Sequence, residues 1–384
     1  MNIGLLGYGT VGGGVDRILR EDPALKVTRV LSLFSTEEMA SRYTDRAEDI
    51  LKDPAIDTVV EVLGGIHPAY EWISEAMRAG KNVVTANKAV VAACYRELVS
   101  LSREMNVSFR CTAAAGGGIP WLTSLERVKK NDRVEAVFGV MNGSCNYILS
   151  EMEKGGSFDA ALKNAQALGF AERDPSADVD GPDTLRKLMI SSCIAFNGYI
   201  AEDEIPCRGI RTVRTEDLAF LKEKGLKLKL FAYAAEKNGK VAAAVEPAAF
   251  PEGSALAGIT KNLNLIGCRL QYGGTLTFTG EGAGRYPTAE NVVRDLRDVA
   301  AFRPAFYADG LEPLHADNTA LKRIYYVRTS AEDPFLEKIT AEKDGAYIKT
   351  LPVSVPEMHA FLSSLEADGT PVFAAAVPEE EAYA

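Results

Sequence analysis

The stretch 171–187 reads AERDPSADVDGPDTLRK and crowds five acidic residues, with cations among them, around proline and glycine. Burying so much charge is costly unless the groups pair or bind something. Gly181-Pro182-Asp183 has the form of a helix opening, because proline suits the first turn and an acid suits the positive end of the helix dipole. Asp183 and Lys187 then fall four residues apart on one helix face. A solvated surface pair is the plain reading of that spacing. The helix continues as LMISSCIAF, however, which is almost wholly apolar and points to burial. A buried lysine beside an acid can exchange a proton with a substrate hydroxyl. Glu172, Asp178 and Asp183 are acceptor-only groups that suit an ammonium ligand. Together these residues suggest a small zwitterionic substrate.

A second chemical signal lies at the N-terminus. The run NIGLLG leads into Gly7-Tyr8-Gly9-Thr10-Val11-Gly12, followed by Val15, Ile18 and Leu19 at helical spacing. In such a loop the first glycine allows a tight turn, the second admits a pyrophosphate close to the backbone, and the third lets helix and strand pack. The phosphates then sit on the helix N-terminus. Gly7, Gly9, Thr10, Val11 and Gly12 are therefore candidate cofactor contacts. Lys88 follows the strand-like NVVTAN, so Asn87 and Lys88 fall at the C-terminal edge of the sheet, where ligands of such folds bind. Val27–Ser35 contains no acid to select the ribose hydroxyls of NAD, whereas Arg29, Arg42 and Arg46 lie nearby. The expectation leans to NADP, with NAD open.

These residues need a scaffold. Strands are expected at 2–7, 27–34, 57–63 and 82–85, with helical segments at 47–51 and 68–79. That alternation implies an α/β fold with a doubly wound parallel sheet of Rossmann type. After about residue 130 the pattern changes. Strands are expected at 134–140, 226–234, 240–245 and 276–279, and helices at 158–168 and 184–196, which makes a mixed α/β catalytic and oligomerisation domain. A late amphipathic helix covers 287–301. The tail reads strand, helix, strand, then a second helix and strand at 356–376. The division expected is 1–130 for dinucleotide binding, with 282–310 returning to it; 131–281 for substrate and subunit contacts; and a small α+β domain at 318–384.

Composition narrows the classes. The chain has 384 residues, enough for more than one core, and a net charge of −10, which disfavours nucleic acid. Six cysteines lie scattered, with no CxxC pair and no clustered histidine, so neither zinc nor a disulfide framework is expected. No secretion signal or membrane span is read, and the expected location is the cytoplasm.

The segments GYGTVG, VVEVLGG, AGKNVVTANKA, GGGIPWL, NGSCNYIL, ALGFAERDPSADVDGPDTLRK and GEGAGRYPTAENVVRDL, in that order, resemble homoserine dehydrogenase over roughly residues 1–310. The resemblance implies reversible NAD(P)-dependent interconversion of L-homoserine and L-aspartate 4-semialdehyde, in the route to threonine, methionine and isoleucine. It implies that Lys187 is the catalytic lysine and that Lys88 stands near the nicotinamide. It implies that Glu172 and Asp183 bind the substrate amino group or orient the site, with Asp178 in the same pocket. Gly169 and Gly284 match cofactor contacts. A homodimer or homotetramer is implied, built through the sheet of the second domain.

Three departures stand out. The family's glutamate before the GGGIP segment, part of a sodium-type cation site, is Thr112 here, leaving the main-chain carbonyls of Ala115, Gly117 and Ile119 as candidate ligands. The second strand and its loop are atypical. Many bacterial members end in an ACT-type regulatory domain, and the resemblance implies a shortened or diverged version of it in the tail, about 65 residues long. Two rival readings are a phosphorylating semialdehyde dehydrogenase with Cys145 as nucleophile, and a dinucleotide-binding regulator without catalysis. The histidines, His67, His315 and His359, offer Cys145 no evident base.

Overall fold

The computed structural model describes residues 1–303, 311–380 and 383. Residues 304–310 of the expected returning segment, and residues 381, 382 and 384, lie outside the described residues. The chain forms two compact units, one of residues 1–130, 190–201 and 281–313, the other of residues 131–189, 202–280 and 314–384.

The first unit is built on a parallel sheet. Its strands are β1 (Asn2–Leu6), β2 (Lys26–Leu31), β3 (Tyr43–Thr44), β4 (Thr58–Glu61), β5 (Asn82–Thr85) and β6 (Phe109–Arg110). They lie in the order β3-β2-β1-β4-β5-β6, with every pair parallel. This is the doubly wound dinucleotide-binding order, whose ligand crevice lies where strand order reverses beside β1. Ile3, Leu5, Val59, Val60, Val83 and Val84 are fully buried, as strands covered on both faces require. The second strand stops at Leu31 rather than running to Phe34, because Leu33 and Phe34 face solvent. Helix Arg285–Ala300 returns to this unit and packs on helix Thr10–Leu19. A Cβ at Gly14 would lie 2.8 Å from Arg285 O, so only glycine allows the two helices to approach so closely.

The second unit carries β7 (Val134–Val140), β8 (Leu226–Lys237), β9 (Lys240–Pro251), β10 (Leu263–Leu270), β11 (Gly274–Glu281), β12 (His315–Ala316), β13 (Lys322–Thr329), β14 (Thr340–Asp344), β15 (Tyr347–Thr350), β16 (Val353–Ser354) and β17 (Val372–Val377). The sheet runs β11-β10-β7-β8-β9-β17-β13-β15-β14. β8 and β9 are longer than the apolar pattern suggests. Lys237 pairs with Lys240 across Asn238-Gly239, and both turn residues have positive φ. That two-residue turn matches strand twist and carries pairing to the tip of the hairpin. Phe138, Phe231, Phe250 and Tyr325 anchor the core.

The C-terminal segment runs β13, helix Pro334–Ile339, β14, β15, helix Val355–Ala367, β17, with β17-β13-β15-β14 as its antiparallel order. This is the split βαβ arrangement of ferredoxin-like folds. β17 lies beside β9, so these strands continue the same sheet. Arg328 reaches back to buried Asp217 through two bonds of 2.6 and 2.9 Å, and Tyr347 Oη donates to the same carboxylate at 2.9 Å.

Candidate active site

In the first unit, β1 ends in the glycine loop. Gly7 has φ +106°, and a Cβ at Gly12 would lie 2.1 Å from Gly7 O. A Cβ at Gly9, by contrast, would meet nothing within 4 Å, so the backbone there is open to a ligand. Gly9 is also the N-cap of helix Thr10–Leu19, with no side chain capping it. The N–H groups of the first turn, from Thr10, Val11 and Gly12, are thus placed to meet a phosphate.

The loops after β4 and β5 are tied together. Glu61, at the end of β4, accepts from Thr85 Oγ1 at 2.5 Å, Leu63 N at 2.8 Å and Asn87 Nδ2 at 3.2 Å. Burial pushes its carboxyl up, against those hydrogen bonds. Asn87 also donates to Gly65 O at 2.8 Å and caps helix Lys88–Glu104 by accepting from Val90 N at 3.3 Å. Lys88, half-buried, is therefore the first helical residue after a rigid corner. Arg42 is spoken for: its guanidinium grips Asp16 at 2.5 and 3.1 Å. Arg46 is exposed, 3.9 Å from Asp49.

Helix Pro182–Ala195 opens in the second unit, after Gly181, whose φ is +102°. Asp183 and Lys187 are each 6% exposed. Lys187 Nζ lies 2.8 Å from Asp183 Oδ2 and donates to Met141 O at 2.7 Å. Asn142, at the end of β7, donates from Nδ2 to Asp178 Oδ1 at 2.7 Å and to Asp183 Oδ2 at 2.9 Å. One amide thereby joins two neighbouring carboxylates. Burial raises the Asp178 carboxyl, and the Asp183 charge adds to that, while the Asn142 bond opposes it. A cation entering here would relieve that penalty.

Asp183 and Lys187 come together, as their spacing suggests, and Asn142 links Asp178 to Asp183. Glu172 does not join them through any hydrogen bond or ion pair among the described residues, and its side chain is exposed. Gly169 ends the turn after helix Phe158–Ala167 with φ +75° and open space on its Cβ side. Gly284 stands in the first unit as N-cap of helix Arg285–Ala300, with φ +124°. Asn142 and Asn264 were not singled out from sequence. Asn142 precedes a helix and caps it, a local signal that could have flagged it. Asn264 donates to Met141 O at 2.9 Å from a distant strand and carries no such signal.

Cys145 is fully buried, burial pushes its thiol well above the usual range, and its Sγ donates to Asp178 O at 3.2 Å. A nucleophilic cysteine needs a thiolate and a base. His67 instead pairs with Glu71 and His359 with Glu246. Of the carbonyls considered for a cation, those of Gly117 and Ile119 both accept from Asn291 Nδ2, the second at 2.9 Å.

A doubly wound sheet with an open glycine loop, and an ion-paired lysine buried among carboxylates, define an NAD(P)-dependent oxidoreductase acting on a CH–OH group. Comparisons with known proteins agree. Residues 7–111 match the model "Homoserine dehydrogenase, NAD binding domain", and residues 120–296 match "Homoserine dehydrogenase". The homoserine dehydrogenase of Bacillus subtilis is 34% identical over 311 residues, covering 77% of this chain and 72% of its own. That of Neisseria gonorrhoeae is 34% identical over 363 residues, covering 87% and 82%. The crystal structure of a homoserine dehydrogenase from Thiobacillus denitrificans superposes with TM-score 0.86 at 31% identity, covering 99% of this chain and 98% of that one.

The chain belongs to the homoserine dehydrogenase family. Its cofactor is a nicotinamide dinucleotide, and its substrates are small molecules. Neither the cysteine-nucleophile reading nor the non-catalytic one is favoured. No helix among the described residues is long and apolar enough to cross a membrane.

Proposed function

We propose that Lys187 is the proton-transfer residue of homoserine oxidation and aldehyde reduction. Its ammonium is aimed by Asp183 at 2.8 Å and by Met141 O at 2.7 Å. In the reductive direction it donates a proton to the oxygen as that oxygen gains negative charge; in the oxidative direction the neutral amine takes the hydroxyl proton. The nicotinamide dinucleotide, held at the glycine loop, supplies hydride exchange at the carbon. Asp183 and Asp178, linked by Asn142, hold the substrate ammonium, with Glu172 joining them when substrate binds. Lys88, fixed at a helix start by the Asn87 cap, assists near the reacting oxygen. Gly169 and Gly284 border the cofactor. The observation that carries this reading is the Asn142-bridged carboxylate pair beside Lys187.

NADP is the preferred cofactor in this reading. No acid ends β2, and Arg46 remains exposed, although Arg42 is held by Asp16. The enzyme works in the cytoplasm as a homodimer or homotetramer through the sheet of the second unit, whose edge strand β11 is largely exposed. The tail is a diverged ACT-type module, supported by its βαββαβ order. Initial rates of homoserine-dependent reduction of NADP+ and NAD+, read by nicotinamide absorbance, test the chemistry and the preference together. A higher kcat/KM for NAD+ overturns the NADP assignment. Light scattering that returns a monomer overturns the assembly.

A further inference from the structure

The family resemblance implies a monovalent cation held by main-chain carbonyls around Ala115, Gly117 and Ile119, with a carboxylate at position 112. The residues of this chain do not fit that group. The GGGIP turn is sharply folded, with φ +93° at Gly116 and +56° at Gly117. It presents the carbonyls of Gly117 and Ile119 to one side chain, the wholly buried Asn291. Asn291 Nδ2 donates to both, at 2.9 Å to Ile119 O.

The orientation of that amide is fixed by its other end. Arg294 Nη1 lies 2.6 Å from Asn291 Oδ1. A guanidinium has donors only, so the atom facing it must be the amide oxygen, and the two-hydrogen nitrogen must face the two carbonyls. Arg294 is held in turn by Glu290.

The carboxylate is accounted for as well. Thr112 stands in its place, donating from Oγ1 to Asp295 Oδ1 at 2.6 Å and from its backbone N–H to Oδ2 at 2.9 Å. Arg110 lies 3.7 Å from Asp295 and 3.3 Å from Asp298. These acids therefore face protein donors. An alkali ion needs a cage of oxygen acceptors, whereas here a nitrogen donor, Asn291 Nδ2, stands against two of the oxygens at once. The exchange also conserves charge. A cation with a carboxylate is neutral in sum, and so is an asparagine with a threonine.

We propose that the Asn291 amide replaces the monovalent cation in this chain, clamping the Gly117 and Ile119 carbonyls so that neither folding nor activity requires an alkali metal ion. Asn291 is a positioning residue: it touches the turn that leads into helix Trp121–Val128 and has no part in the chemistry.

The test uses the full chain, desalted into choline chloride and compared with NaCl and KCl at equal ionic strength. Thermal midpoints and initial rates are expected to coincide in the three salts. A saturable rise in midpoint with NaCl or KCl over choline, the mark of a ligand that binds the native state, overturns the proposal. Asn291→Ala removes the donor and is expected to melt about 2 °C lower or more in every salt. A midpoint equal to that of the parent chain also overturns it. The salt comparison on the unaltered protein decides the matter even where the variant fails to fold.

Discussion

Lys187 Nζ sits 2.8 Å from Asp183 Oδ2, one helical turn apart, with both side chains almost fully buried. Breaking a buried pair by removing one partner strands the other charge. The pair is therefore a fixed unit, its ammonium held by Asp183 and by Met141 O, and its carboxylate held in turn by Asn142.

Glu172 is the exposed member of the substrate set proposed above, and that proposal makes its role depend on a bound ammonium. Glu172→Ala is expected to raise the KM for homoserine roughly tenfold, the scale of one charged hydrogen bond, with kcat less affected. Steady-state kinetics at saturating cofactor measure this. An unchanged KM would remove Glu172 from ammonium binding.

Cys145 is expected to be dispensable. Serine retains a donor toward Asp178 O, where Sγ now sits at 3.2 Å. Cys145→Ser should keep kcat within roughly tenfold of the parent. A loss of about a thousandfold or more would restore the nucleophile reading.

Gly12 tests the cofactor loop. The added methyl of Gly12→Ala would fall 2.1 Å from Gly7 O, and the backbone must shift to admit it. NADPH affinity, followed by fluorescence titration, is expected to drop roughly tenfold or more. An unaltered affinity would mean that this loop does not hold the pyrophosphate.

Asp295 sets a pH dependence of stability. Burial pushes its carboxyl up to about 6, against the lowering effects of Thr112 and Arg110. The folded state thus binds this proton more tightly than the unfolded state. The resulting stabilisation is complete below the unfolded value of about 4 and is lost as pH rises through the folded one. Asp295→Asn has no such proton. The melting temperature of the variant minus that of the parent should therefore rise between pH of about 4 and 7. A difference that stays flat over that range would show that Asp295 titrates normally.

Much of this was legible in the sequence because its signals are local. The glycine loop, the buried strands and the Asp183–Lys187 spacing each lie within a few residues of chain. The strand lengths of the β8–β9 hairpin were under-read because hydrophobicity fades before Asn238-Gly239, while backbone pairing does not. Asn142 carries a local helix-cap signal, but its carboxylate bridge is not legible because the partners lie 36 and 41 residues away. Asn291 escaped notice for the same reason, at 174 and 172 residues from the carbonyls it joins. Spacing arguments find pairs on one helix; they do not find an amide that bridges separate elements.

The most direct measurement is the turnover of Lys187→Ala in homoserine-dependent NADP+ reduction, alongside its melting temperature and NADPH affinity. A kcat lower by about a hundredfold or more, with cofactor affinity kept, is the expected result for a lost proton-transfer group. A folded variant turning over within roughly a factor of three of the parent would contradict it, since a general acid or base contributes at least about a hundredfold.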